Sequence, residues 1–109
     1  MALTRSFKET IKARAERDPE FRMGLFREAI EAMLSDDLET GKVLLRDYVN
    51  ATMGFERLAE KLGKEGKSLH RMLGPKGNPR ADNIFSLIKV LQDEDNITLH
   101  VKVDKREVA

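Results

Sequence analysis

Between residues 54 and 72 the chain reads GFERLAEKLGKEGKSLHRM, and its pattern of large and small residues leaves few foldings open. Over Phe55–Leu62 the apolar residues recur at the spacing of one helix face for about two turns. Gly63 follows the last of them, where a left-handed helix cap favours glycine. A short polar stretch, Lys64–Lys67, leads into a second periodic segment that carries Leu69, Met72 and Leu73. Two short helices joined by a tight turn near a glycine make a helix-turn-helix. The small residue Ala59 has a physical reason in such a unit, because a bulky side chain there would push the second helix off the first.

In that arrangement Lys67, Ser68, His70 and Arg71 lie on the side of the second helix away from Leu69 and Met72. These four are the candidates for reading base edges in a DNA major groove: Lys and Arg match guanine O6 and N7, Ser donates or accepts, and His can bond a base or a phosphate. Lys64, Lys76, Asn78, Arg80 and Asn83 flank the helix and are the phosphate candidates. The start of the following helix adds free backbone N–H groups that favour an anion. Charge is distributed to match. Residues 64–80 carry five basic side chains against Glu65 alone, a net of +4, while residues 1–50 have a net of −1 and residues 93–109 a net of −2. A net charge of +1 for the whole chain hides that basic centre.

LAEKLG (58–63), KSLHRML (67–73), GNPR (77–80) and NIFSLIKVL (83–91) together make Gly54–Leu91 resemble the helix-turn-helix of phage-repressor-like (Cro/repressor type) regulators. The closer resemblance is to the antidote (antitoxin) proteins of bacterial type II toxin–antitoxin modules. Two positions depart from the family pattern. Lys64 stands where an apolar turn residue is usual, and Phe55 replaces a frequent polar, phosphate-touching residue. The resemblance implies an antitoxin that represses its own operon and neutralises a small toxin protein.

The remaining segments are read in order. Ser6 and Glu9 form a capping-box pattern, with Leu3, Phe7 and Ile11 every four residues, and predict a helix over 6–17. Asp18-Pro19 predicts a second start, with Asp as N-cap and Pro in the first turn, and a helix over 19–34 bearing Phe21, Leu25, Phe26, Ala29, Ile30, Met33 and Leu34. These two helices can serve as extra core, dimer surface or toxin-binding surface. Asp36 and Glu39 give another capping box for a helix over 37–51, with Leu38, Leu45, Tyr48 and Val49 as its buried side and Gly41 weakening its first turn. Gly74-Pro75-Lys76-Gly77-Asn78-Pro79 breaks the chain, and a last helix over 81–92 places Ile84, Leu87, Ile88 and Leu91 on one face. ITLHVKV (97–103) then alternates as a strand does. Its apolar positions, Ile97, Leu99, Val101 and Val103, have no partner strand elsewhere in the chain. They are expected to pair with a second copy or with a partner's sheet edge.

The expected architecture is all-α, five to six helices around a repressor-like helix-turn-helix with one C-terminal β-strand. It divides into an N-terminal helical extension (1–35), a DNA-binding domain (36–93) and a strand and tail (94–109). The absence of Cys excludes disulfides and cysteine-ligated zinc. His70 and His100 are the only histidines, and His70 sits beside Arg71, so no metal and no cofactor is expected. Asp36-Asp37 reads as helix capping rather than a catalytic carboxylate pair, and no nucleophile or phosphate-loop motif occurs, so an enzyme is not expected. No apolar run reaches 18 residues and the N-terminus lacks a signal core, which predicts a soluble cytoplasmic protein without membrane contact. The expected function is sequence-specific binding of double-stranded DNA by a homodimeric transcriptional regulator. The competing class is a protein-interaction module that binds a toxin and keeps the helix-turn-helix only as scaffold.

Overall fold

The computed structural model describes residues 5–107, with side chains from Thr10 onward. Among these residues are six helices and no strand: α1 (Arg5–Arg17), α2 (Pro19–Leu34), α3 (Leu38–Ala51), α4 (Gly54–Leu62), α5 (Gly66–Met72) and α6 (Ala81–Asp95). The all-α class stands. The Ser6–Glu9 capping pair and the apolar Leu3 and Phe7 lie outside the described side chains.

Local chemistry sets the helix boundaries. Asp18 caps α2 as expected, its Oδ1 accepting from the Phe21 N–H at 3.1 Å with Pro19 behind it in the first turn. The cap of α3 falls one residue later than the capping-box reading: Asp37, not Asp36, accepts from the Thr40 N–H at 3.2 Å. Asp36 is instead the left-handed residue of the turn, at φ 63°. Either aspartate can serve as an N-cap acceptor, and the left-handed turn at Asp36 leaves that place to Asp37. Gly63 closes α4 in the left-handed conformation at φ 65°, as its position after Leu62 requires.

α1, α2 and α3 pack on one another, with α3 also against α4, and α4 bridges to α5 and α6. Leu25, Phe26 and Ala29 of α2 meet Leu45, Tyr48 and Val49 of α3 in the core, and the Phe26 and Tyr48 rings stack with centroids 4.7 Å apart. The second helix thus supplies core, although its last apolar residue, Leu34, is 78% exposed. Gly41 has a use that its helix propensity conceals. A Cβ there would lie 2.4 Å from Met33 Cγ and 3.1 Å from the Ala29 carbonyl, so its absence lets α3 approach α2. Ile84, Leu87, Ile88 and Leu91 of α6 close the core with Leu58, Ala59, Leu69 and Leu73.

A polar node joins the two ends of this core. The Tyr48 hydroxyl donates to the Asp95 carboxylate at the end of α6, and Arg22 Nε lies 3.5 Å from the same Asp95 Oδ2. Arg22 also donates from Nη1 to the Ala15 carbonyl at 2.8 Å, capping the C-terminal turn of α1. Burial, reinforced by the hydrogen bond to Asp95, pushes the Tyr48 phenol well above its ordinary range.

The expected C-terminal strand is not shown. Residues 97–107 form no ladder, because within one chain no second strand offers its backbone. The first part of the segment turns back along α6, where Gln92 accepts from the Ile97 N–H through its carbonyl at 3.0 Å and from the Leu99 N–H through Oε1 at 2.8 Å. Ile97 and Leu99 pack against the core, while Val101 and Val103 are 87% and 90% exposed. No helix among the described residues is long and apolar enough to cross a membrane.

Candidate nucleic-acid interface

α5 is only seven residues long and is held by one buried side chain of its own, Leu69, with Leu73 just past its end. Burying that side leaves Lys67, Ser68, His70 and Arg71 exposed, as the apolar spacing requires. Arg71 lies nearly one helical turn after Ser68, so the two share one edge of α5, and Lys64 stands in the turn before it.

That edge forms one wall of an open concavity of about 330 Å³. Lys64, Ser68, Arg71 and Met72 line it from the α5 side, and Lys76, Gly77, Asn78, Pro79, Arg80 and Asn83 from the loop and the start of α6. Seven of the nine residues read from the sequence as DNA contacts therefore share one surface. Four of them are cationic, and no carboxylate lines the concavity. Asp82 stands at its rim, 3.4 Å from Arg80 Nε. The N-cap position of α6, Arg80, makes no side-chain cap, but Asp82 in the first turn accepts from the Asn83 N–H at 2.9 Å, so a carboxylate already sits against the positive end of that helix.

The other two residues are placed differently. Lys67 is exposed but lies outside the concavity. The His70 ring stacks on Phe55 of α4, with centroids 4.1 Å apart and 24° between planes. Phe55 thereby has a structural role: the ring is buried and supports the imidazole from beneath. His70 stays exposed on its other side.

Two residues bonded to the backbone behind this surface escaped the sequence reading. Lys42, on α3, is 1% exposed. Its ammonium donates to the Gly74 carbonyl at 2.8 Å and to the Gly77 carbonyl at 2.7 Å, and lies 2.9 Å from Glu39 Oε2. Arg46, one turn along α3, donates from Nη1 to the Leu73 carbonyl at 3.2 Å. Both cations thus act on the carbonyl-rich end of α5 and the loop behind it, where a helix dipole favours positive charge. The loop is pressed close to the helix. A Cβ on Gly77 would fall 2.0 Å from the Arg71 carbonyl and 2.5 Å from that of Met72. Nothing in the residue type announces a lysine whose partners are main-chain carbonyls more than thirty residues away. The break at Gly74–Gly77 was the one visible sign of carbonyls in need of donors.

Among the described residues no three His, Asp or Glu side chains gather as metal ligands would. Comparisons with protein-family models, with curated proteins and with solved structures find no match to this chain.

Proposed function

We propose that this chain is a sequence-specific DNA-binding transcriptional regulator that works as a homodimer, and that it is the antitoxin of a bacterial toxin–antitoxin module acting in the cytoplasm on its own operon. The observation that carries this reading is the concavity along α5, where Lys64, Ser68, Arg71, Lys76, Asn78, Arg80 and Asn83 lie together with no opposing carboxylate in the lining. A phosphate backbone and an adjacent major groove supply the anions and acceptors that such a set would bind. The resemblance of Gly54–Leu91 to repressor-like regulators supports the same reading. Ser68 and Arg71 would read bases, and the loop cations would hold phosphates.

The homodimer part of the proposal rests on the tail. Ile97 and Leu99 lie against their own chain, whereas Val101 and Val103, next in the same alternation, have no cover. Strand pairing with a second copy would cover them and bring two α5 helices to half-sites about 34–36 Å apart. The same exposed valines would suit a toxin's sheet edge, which is the reading of the chain as a protein-interaction module.

Selection from a random pool of DNA duplexes tests the proposal. Enrichment of a two-half-site sequence is expected, with affinity falling steeply as salt is raised. Equal binding of selected and unrelated duplexes would overturn it. Sedimentation of a chain ended after Leu99, which keeps the Gln92 ties, tests the tail. A monomer is expected; an unchanged dimer mass would assign the exposed valines to another partner.

A further inference from the structure

We propose that Lys42 is a positioning residue for the DNA-binding concavity, one that fixes the loop behind α5 without touching the ligand. The inference rests on the DNA-binding reading above and deepens it. A lysine ammonium has three N–H donors. Here all three find acceptors: the Gly74 and Gly77 carbonyls and the Glu39 carboxylate. An ammonium removed from water is tolerated only with such partners, and in turn it holds them where it is. Gly74 and Gly77 bracket the turn that carries Lys76, and Gly77 begins the run that delivers Asn78 and Arg80 to the same surface. The core residues Leu69 of α5, Leu73 just past it, and Ile84 and Leu87 of α6 make no use of the ammonium. Removing its charge should therefore loosen the loop before it loosens the helices.

Two outcomes follow for a folded Lys42→Met variant. The Gly77 amide, which donates to the Gly74 carbonyl at 3.0 Å, should exchange with solvent at least about tenfold faster, while amides of α4 keep their protection. The slope of log affinity against log salt for the selected duplex should also fall by about one to two, as phosphate contacts from Lys76 and Arg80 are lost. A residue that served only overall stability would lower the folded fraction and leave that slope unchanged. Folded Lys42→Met protein with the wild-type slope and wild-type Gly77 exchange overturns the proposal. If Lys42→Met does not fold, Glu39→Ala is read in its place, because it changes only an exposed residue and frees the ammonium on one side. A smaller shift in both readouts in the same direction is expected, and wild-type values of both overturn the proposal. Should the unaltered protein bind no duplex, the DNA reading fails, and with it the role of Lys42 in shaping a DNA site. Faster Gly77 exchange would then show that the loop clamp exists without that use.

Discussion

The three helices before Met53 and the two that directly follow it differ in length and in what holds them. Before it, α1, α2 and α3 run for 13, 16 and 14 residues, and after it α4 and α5 run for nine and seven. A helix of three to four turns can bury a stripe of side chains, and packing then places it. One of two turns gains little from its own hydrogen bonds and has nearly as many unpaired end groups as paired ones. The long helices meet through rings and aliphatics, as at Phe26 and Tyr48. The short pair depends on its ends: Gly63 at one, and at the other Arg46 and Lys42 bonded to the carbonyls of Leu73, Gly74 and Gly77. The lesson is that a stripe of apolar side chains places a long helix, whereas the short pair needs cations on its main-chain carbonyls to hold the loop that follows it.

The largest break in this comparison should come from the first half. Phe26→Ala removes a fully buried ring stacked on Tyr48 and should cost about 3–5 kcal/mol in urea or thermal unfolding. A loss below about 1 kcal/mol would mean that aromatic packing does not place these helices. In the second half, Ala59→Leu adds volume at a buried position of α4 and should cost about 1–3 kcal/mol. A variant that melts like the unaltered protein would show that the short helices tolerate looser contact. Arg71→Ala should weaken binding to the selected duplex by about 1–3 kcal/mol and relax its specificity, while stability moves by no more than about 0.5 kcal/mol. An unfolded variant would mean that Arg71 belongs to the packing and not to the surface.

The smallest effect is a pH dependence with one contributor in each half. Hydrogen bonds from the Thr40 side chain and then from its N–H hold Asp37 below its ordinary 3.8. The hydrogen bond from Arg57, with Lys61 beside it, holds Glu94 below 4.5. Because the folded values are the depressed ones, each contribution is fully present above the ordinary value and is lost as pH falls through the folded value. Urea midpoints measured at successively lower pH should therefore fall less steeply for Asp37→Asn and Glu94→Gln than for the unaltered protein. Parallel curves would remove both groups from the acid response.

Most of the helices were legible because their start and stop signals are local. Asp18-Pro19, the glycine after Leu62 and the break at Gly74–Pro79 act within a few residues of where they sit. The concavity was legible in part, since spacing along α5 shows which side chains share an edge. What escaped depends on contacts distant in sequence. Lys42 reads as a solvated lysine until Gly74 and Gly77 are brought to it, and Gly41 reads as a weak helix residue until Met33 lies against it. The stack of His70 on Phe55 joins two helices whose relative placement no periodicity encodes. The tail shows the opposite failure. Its alternation suits a strand, but a ladder needs a second backbone that one chain does not supply.

The node at Asp95 bears on how the chain reaches this fold. Its carboxylate is met by Tyr48, 47 residues earlier, and by Arg22, earlier still. Contacts of such separation form only after the intervening chain has been closed into a loop, so they come late and tend to limit the folding rate. A chain begun at residue 36 would leave Asp95 without its arginine and α6 without a tie to the N-terminal helices. The first two helices are thereby tied to the end of α6 through Arg22 and Asp95. With that tie in place, a single cooperative transition is expected, in which tyrosine fluorescence and helical signal change together.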